Sequence, residues 1–395
     1  MKTILHLILG VVLAMAIVWT PLLAGEAAGE PIKIGVILPF TGEFAPEGDT
    51  ALAGVRARLK EVNAEGGIRG RPLELVVGDN ESKPEVGARL VDEMADAGVL
   101  AVVGPITSGQ AFAMKPVAAR RQLPCVATNA THDDVTDPDS WVFRSIFPNS
   151  FQASAMASFI RQDRGVDRVA VVFDQRHPYS RDLASQFKTD FERLGGTVVL
   201  SAAYTVGIFD QQKDFEAQLE RIVGELIAAN PGMVFAPTYF EEAAPLVRAA
   251  GAAGLEARFA APDSWNNEIV YKSAGNNLQG CFIAGSFSLD DPDPAVRRFI
   301  RLMEENDAEH VDGGMALGYD ATSMIVEAVR SSGMTGEEIR RGLLNLKDFP
   351  LVTGRITITP KGESDKDVVI FEVRRETGNL FHAQMLKRVR PGNNE

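Results

Sequence analysis

Val102-Val103-Gly104-Pro105-Ile106-Thr107-Ser108-Gly109 and Pro124-Cys125-Val126-Ala127-Thr128-Asn129-Ala130-Thr131 decide the fold of this chain. Each runs from a short apolar β-type segment into a turn rich in hydroxyl groups, and the first turn opens a helix, Gly109 to Arg121. A helix N-terminus presents N–H groups without intrahelical partners at the positive end of the helix dipole. Hydroxyls added there make a site for a small anion such as a carboxylate. The pattern points to capture of a small molecule rather than chemistry on it.

Outward from these turns, strand and helix alternate. Ile32 to Leu38 is a nearly continuous apolar run, as a parallel strand covered on both faces requires. Gly48 to Ala64 follows as a helix with Leu52, Val55, Leu59 and Val62 on one stripe, stopped by Gly66-Gly67. Strand Leu73 to Val77, helix Pro84 to Ala97 and strand Leu100 to Val103 lead into the opening segment. A second series begins after Trp141 to Phe147. It reads as helix Ser150 to Asp163, strand Arg168 to Phe173, helix Tyr179 to Leu194, strand Thr197 to Ala202, helix Asp214 to Ala229, strand Met233 to Ala236, helix Phe240 to Gly251 and strand Arg258 to Ala261. This is the βαβ alternation of α/β, doubly wound sheets, given twice. After Gly280 the pattern changes to helices Pro294 to Asn306, Met315 to Ser331 and Gly336 to Leu346. Strands Arg355 to Thr359 and Asp367 to Val373 close the chain.

The N-terminus reads as an export signal. Lys2 supplies the positive start, Leu7 to Val18 the apolar core, and Ala24, Gly25, Ala27 and Ala28 the small residues near the cut. Residues 1–24 are expected to be removed; an uncleaved anchor is the alternative, since Ile4 to Ala24 is mostly apolar. No Cys lies near the cut, which argues against a lipid anchor. Cleavage leaves 371 of the 395 residues and takes the formal net charge from −13 to −14. That length suits two lobes, and that charge argues against nucleic acid and against anionic membrane surfaces. The two cysteines, Cys125 and Cys281, sit in separate apolar runs and read as free buried thiols, with pairing in an oxidising compartment as the alternative.

No nucleophile elbow, Walker loop or strand-linked G-x-G-x-x-G is present, and the five histidines (His6, His132, His177, His310, His382) lack ligand spacing. The expectation is a non-enzymatic protein with no cofactor and no metal.

Several motifs, in order along the chain, resemble those of the leucine/isoleucine/valine-type periplasmic binding proteins. They are Ile32-Lys33-Ile34-Gly35-Val36-Ile37-Leu38-Pro39-Phe40-Thr41-Gly42 with Ala45, Gly48 and Gly54; Asn63 to Arg71 with Asp79; Gly104-Pro105 with Ser108; Ala130-Thr131; Phe143-Arg144; Gly318-Tyr319-Asp320-Ala321; and Val352-Thr353-Gly354 with Ile356. The resemblance implies two doubly wound lobes joined by a three-crossing hinge, with residues 31–147 and 284–353 in one lobe and 148–283 and 354–390 in the other. It implies a monomeric periplasmic protein that closes on an amino acid or related small carboxylate or amide and delivers it to the permease of an ABC importer. A sensory module reporting ligand to a receptor and an amide hydrolase are the rival readings.

The resemblance also implies roles. Ser108 would hold the ligand carboxylate, or serve only as an N-cap. Asn129, Ala130 and Thr131 would offer a backbone carbonyl and a hydroxyl, or form a plain turn. Tyr179, in a Tyr-Ser rather than Tyr-Gly turn, and Tyr239, at the end of a strand, would come from the second lobe. Asp263 would pair with the ligand ammonium, and Asp320 would either touch ligand or lock the hinge. Trp265 reads as a cleft wall or a partly exposed loop aromatic. Glu47 departs from the pattern: an apolar contact to the ligand side chain is expected there. Its carboxylate would suit a polar or basic ligand, or face solvent at a helix start.

Overall fold

A computed structural model describes residues 29–205, 207, 211–375 and 381–391. The expected leader, residues 1–24, lies outside the described residues.

The first sheet is assembled from β1 (Ile32–Leu38), β2 (Leu73–Asp79), β3 (Ala101–Val103), β4 (Cys125–Ala127) and β5 (Val142–Arg144), with helices α1 (Ala45–Ala64), α2 (Pro84–Asp96) and α3 (Ser108–Arg121) as crossovers. Its order is β2-β1-β3-β4-β5, every pair parallel. Alternate side chains of a strand point to opposite faces. Ile34, Val36 and Leu38 accordingly join an apolar cluster on one face, while Ile37 joins Met94 and Met114 on the other. That two-sided burial is why β1 reads as an unbroken apolar run.

After β5 the chain crosses and continues as α4 (Asn149–Ser158), which runs into a π-helical turn over Phe159–Asp163. Next come β6 (Arg168–Asp174), α5 (Pro178–Arg193), β7 (Thr197–Tyr204), α6 (Gln212–Ala229), β8 (Met233–Phe235), α7 (Phe240–Ala252), β9 (Arg258–Ala261), α8 (Glu268–Ala274) and β10 (Phe282–Gly285). Read from β7 to β10 the order is β7-β6-β8-β9-β10, the same order as in the first sheet. A second crossing leads to α9 (Pro294–Glu304), α10 (Gly313–Ser332) and α11 (Gly336–Leu344).

These three helices return to the first lobe. Ala321, Met324, Ile325, Ile339 and Leu343 share a core with Ile34 and Val36. The α1–α10 contact is close because both helices carry glycine at it. A Cβ on Gly54 would stand 1.9 Å from the Met315 carbonyl oxygen, and one on Gly318 2.1 Å from that of Ala51. A short antiparallel sheet of β11 (Phe349–Leu351), β12 (Gly354–Ile358) and β13 (Ser364–Lys366) follows, then β14 (Val368–Arg375) and β15 (Phe381–Val389) on the second sheet. Strand β10 therefore belongs to the second sheet, and Ile356 and Ile358 of β12 lie in the first lobe's core. The segment from 354, which the sequence reading gives to the second lobe, begins with β12 and β13, which pair with β11 in a separate sheet of their own. The chain is thus two doubly wound α/β lobes joined by three crossings.

The crossings are tied by a buried polar knot. Asp320 accepts from the Val352 N–H (2.8 Å), the Thr353 N–H (3.0 Å) and the Thr353 hydroxyl, and its carboxylate lies 3.8 Å from Lys366 Nζ. Lys366 donates to the Ser145 carbonyl at 2.6 Å and to Thr353 Oγ1. Both charged side chains are fully buried; burial pulls Lys366 down to about 8 and raises Asp320. Cys125 and Cys281 are free and buried.

Candidate functional site

In doubly wound sheets ligands bind beyond the carboxyl ends of the strands, and here the carboxyl ends of both sheets face one cleft. Glu47 enters it from the first turn of α1, which follows β1; Asn129 follows β4; Asp263 follows β9. These three residues line one cavity with Thr50, Ser264, Asn266 and Asp312.

The lobes are closed over the cavity. Phe44, preceding α1, is 3% exposed and joins the second lobe's core, its ring 4.9 Å from that of Tyr239 and 6.0 Å from that of His177. Asp133 accepts from the Ser150 N–H at 3.0 Å and from Gln186 Nε2 at 3.2 Å. The space left between them is about 40 Å³, far below the roughly 150 Å³ of a cavity that takes up benzene. A ligand of amino-acid size therefore enters only when the lobes separate.

Asp263 is the best-furnished group. It accepts from Gln152 Nε2 at 2.6 Å and from the Tyr179 hydroxyl at 3.3 Å. Burial pushes its carboxyl up to about 6 despite those hydrogen bonds. Gln152 is fully buried and its other amide atom, Oε1, has no hydrogen-bond partner. Tyr179 (3% exposed) and Tyr239 (7% exposed) lie ring to ring at 5.1 Å behind Asp263. Burial lifts both phenols well above their ordinary range.

Glu47 faces Asp263 and Asp312. Burial, then the charges of Asp263, Asp312 and Glu43, raise its carboxyl to about 8. Among the described residues no basic side chain lies within ion-pair distance of Glu47 or Asp263. Nearby Arg176 is held by Asp174 at 2.7 Å, by Glu242 at 2.9 Å and by Glu43 at 3.8 Å. No cluster of His, Cys, Asp or Glu among the described residues is placed to hold a metal ion. No described helix is long and apolar enough to cross a membrane.

The two hydroxyl-rich turns are linked, but not at the cavity wall. The cap of α3 is Thr107, which accepts from the Gln110 N–H while the Gln110 side chain answers to the Thr107 N–H. Ser108 is therefore not the cap. It is 1% exposed, and its hydroxyl accepts from the His132 N–H at 3.1 Å. Ala130 and Thr131 are fully buried, and their carbonyls serve Arg144, whose Nη1 lies 3.4 Å and 2.7 Å from them. The Thr131 hydroxyl is buried without a partner.

Of the residues expected from sequence, the cavity brings together Glu47, Asn129 and Asp263. Tyr179 and Tyr239 stand behind Asp263, while Ser108, Ala130 and Thr131 are buried and are not among the residues that line the cavity. Asp320 is apart, in the hinge knot. Trp265 is fully buried, its indole N–H donating to Thr238 Oγ1 at 3.0 Å, so it is neither cleft wall nor exposed loop. Sequence reasoning missed Gln152 and Asp312. Asp312 precedes Gly313-Gly314 at a helix start and carries a cap signal, since its Oδ1 accepts from the Met315 N–H at 2.9 Å. Gln152, a polar residue inside a helix rich in alanine, carries no such signal.

Known proteins share this architecture. Leu/Ile/Val-binding protein homolog 1 of Brucella abortus (strain 2308) is 26% identical over 361 residues, which span 90% of this chain and 92% of that protein. The crystal structure of the leucine-binding protein LivK from Thermotoga maritima MSB8 superposes with a TM-score of 0.81 at 25% identity, covering 92% of this chain and 99% of that one. A solute-binding protein of an ABC transporter from Rhodopseudomonas palustris HaA2, solved with p-hydroxybenzoic acid, gives a TM-score of 0.81 at 20% identity over 91% of this chain and 97% of that one, a likeness of fold alone. The periplasmic binding protein profile matches residues 31–379. With its paired sheets, its three crossings and a cleft at the carboxyl ends of both, this chain belongs to the periplasmic binding protein family.

Proposed function

We propose that this chain is an exported solute-binding protein: it captures an amino acid or related small molecule between its lobes, without transforming it, and presents the closed form to the permease of an ABC importer. Export follows from the leader at residues 1–24, and the working form is a periplasmic monomer. One lobe is taken as residues 31–147 with 284–353 and the other as 148–283 with 354–390, the packing of Ile356 and Ile358 in the first core favouring a somewhat later final crossing.

Asp263 receives the ligand ammonium, positioned by Gln152 and Tyr179, with Tyr239 backing the ring of Tyr179. The α3 N-terminus, with Ser108 beneath it and the Thr131 hydroxyl, receives the carboxylate. Asn129 contributes a polar wall with the carbonyls of Ala130 and Thr131 turned away to Arg144, and Glu47 sets the choice of side chain. Asp320 governs the hinge and does not touch the ligand. Capture works because ligand binds the closed state better than the open one, so the equilibrium moves by that difference.

The observation that carries this reading is Asp263. Its half-buried carboxylate lines the interlobe cavity, oriented by two neutral donors and paired with no described cation. A nucleophile held by a base is what a hydrolase would need, and Ser108 instead accepts from a backbone N–H. Mass spectrometry of the protein under native and denaturing conditions tests the proposal. The expected result is a non-covalent amine-bearing molecule, released unchanged. A covalent adduct, or product formed from amide substrates by the purified protein, would refute it.

A further inference from the structure

The cavity between the lobes is lined by Glu47, Asp263 and Asp312, and by no basic side chain among its lining residues. Asp312 already has partners: the Met315 N–H at 2.9 Å and His310 Nε2 at 3.5 Å. Glu47, from the first lobe, and Asp263, from the second, are in no ion pair among the described residues. Arg176, which reaches Glu43 on the loop before α1, is shared among Asp174, Glu242 and Glu43. Two carboxylates from opposite lobes therefore meet across one small space without a counter-charge.

A neutral amino acid does not resolve this. It brings one ammonium for Asp263 and one carboxylate, so nothing pairs with Glu47, whose carboxyl group stays in the cavity without a partner. A metal ion does not fit either, since these side chains do not converge on one point as ligands of a single ion. Spread carboxylates suit an extended ligand with separated charges. The fully buried Gln152 supplies an independent sign. Its Nε2 donates to Asp263, while Oε1 of the same amide has no hydrogen-bond partner, so a cation docked on Asp263 meets a second acceptor.

We infer that the cleft selects a small ligand carrying two positively charged groups, one seated at Asp263 and Gln152 on the second lobe, the other at Glu47 with Asp312 behind it on the first. A basic amino acid or a short diamine has this chemistry. The inference rests on the solute-capture reading above and names its substrate class. Each lobe then holds one charge, and a ligand long enough to reach both draws the lobes together. A monocation satisfies one lobe only.

Calorimetry on the full mature protein tests this with L-lysine, L-arginine and cadaverine as doubly cationic probes and L-norleucine, L-leucine and L-glutamine as neutral ones. The best dication is expected to bind at least about thirty-fold tighter than any neutral probe, the loss that follows when one partner of a buried charge pair is missing. Glu47→Gln, close to isosteric, is expected to remove that preference, and Glu47→Asp, which keeps the charge, to retain most of it. Leucine or norleucine binding as tightly as the best dication would overturn the inference while leaving solute capture standing. Unchanged dication affinity in folded Glu47→Gln would overturn it as well. Failure of every amino acid and amine in the set to bind would overturn the amino-acid capture reading together with the inference.

Discussion

Asp320→Asn separates a hinge role from a ligand role, and the structure supplies the magnitude. In the wild type Lys366 is fully buried with its pKa drawn down to about 8 from 10.5. Keeping it charged at pH 7 therefore costs about 3 kcal/mol relative to the unfolded chain, at 1.36 kcal/mol per unit. Asp320 is the largest influence opposing that loss of charge. Without the carboxylate, Lys366 folds neutral, so the charge balance alone removes the one pH unit between 7 and its wild-type value of about 8, about 1.4 kcal/mol. The asparagine amide also turns a donor toward either the Val352 N–H or the two Thr353 donors, adding roughly 1–3 kcal/mol for unsatisfied groups. The sum, about 2–4 kcal/mol, overlaps the usual cost of breaking a buried pair. The sign of the pH effect is fixed: a lysine with a depressed folded pKa makes the protein more stable as pH rises from about 8 toward 10.5. The mutational loss should thus be full at pH 7 and shrink by pH 10, where Lys366 is neutral in both variants. Denaturant titration followed by the fluorescence of the buried Trp141 and Trp265 measures both values. Ligand affinity, read by calorimetry on the folded mutant, should stay within about twofold, as for an independent site. Full stability at pH 7 together with lost affinity would refute the hinge assignment and make Asp320 a ligand contact.

Asp263→Ala should weaken binding of a tight ligand by about 2–5 kcal/mol, or thirty-fold and more, with the fold retained; unchanged affinity by calorimetry would remove Asp263 from the site. Glu47, pushed up to about 8, is protonated at pH 7 in the ligand-free protein, so stability falls as pH rises from about 4.5 toward 8 and the group is forced to ionise. A cation paired with Glu47 favours the ionised form, so binding should release protons at pH 7 and tighten between pH 6 and pH 8; a calorimetric enthalpy independent of buffer would contradict this. Ligand should also shrink the radius of gyration in solution scattering without changing helix content, because the lobes move as bodies; an unchanged radius at saturation would count against hinged closure.

The sequence disclosed most of the architecture because burial on both faces leaves a clear trace. Ile32–Leu38 and Arg168–Asp174 are apolar nearly throughout, and the helices between them carry stripes at helical spacing. The short strands were less visible. Phe282–Gly285 is a 4-residue strand whose membership is fixed by neighbours far away in sequence. Ser364–Lys366 contains no apolar residue and pairs only through its backbone with β12. At the site, position along the fold was legible, so that Asp263 and Glu47 fell where the strand ends meet. Function within the turns was not. Ser108 and Thr107 are adjacent hydroxyls, and only the reciprocal bond with Gln110 assigns the cap to Thr107. Arg144 was visible only as part of a motif. Its task, holding the Ala130, Thr131 and Asp133 carbonyls and Glu363, depends on contacts up to 219 residues apart.

Phe44 separates two properties that binding measurements usually merge. Its ring sits on one lobe but is buried in the core of the other, so shutting the molecule hides apolar surface even before any solute is considered. The apparent dissociation constant is the intrinsic one divided by the fraction of molecules already competent, and Phe44 acts on that fraction alone, since it does not line the cavity. Trimming the ring to alanine should loosen every ligand by one common factor and leave their ranking intact. Affinity in this protein can therefore drift through residues that never meet the cargo, while the carboxylates at the centre keep its choice unchanged.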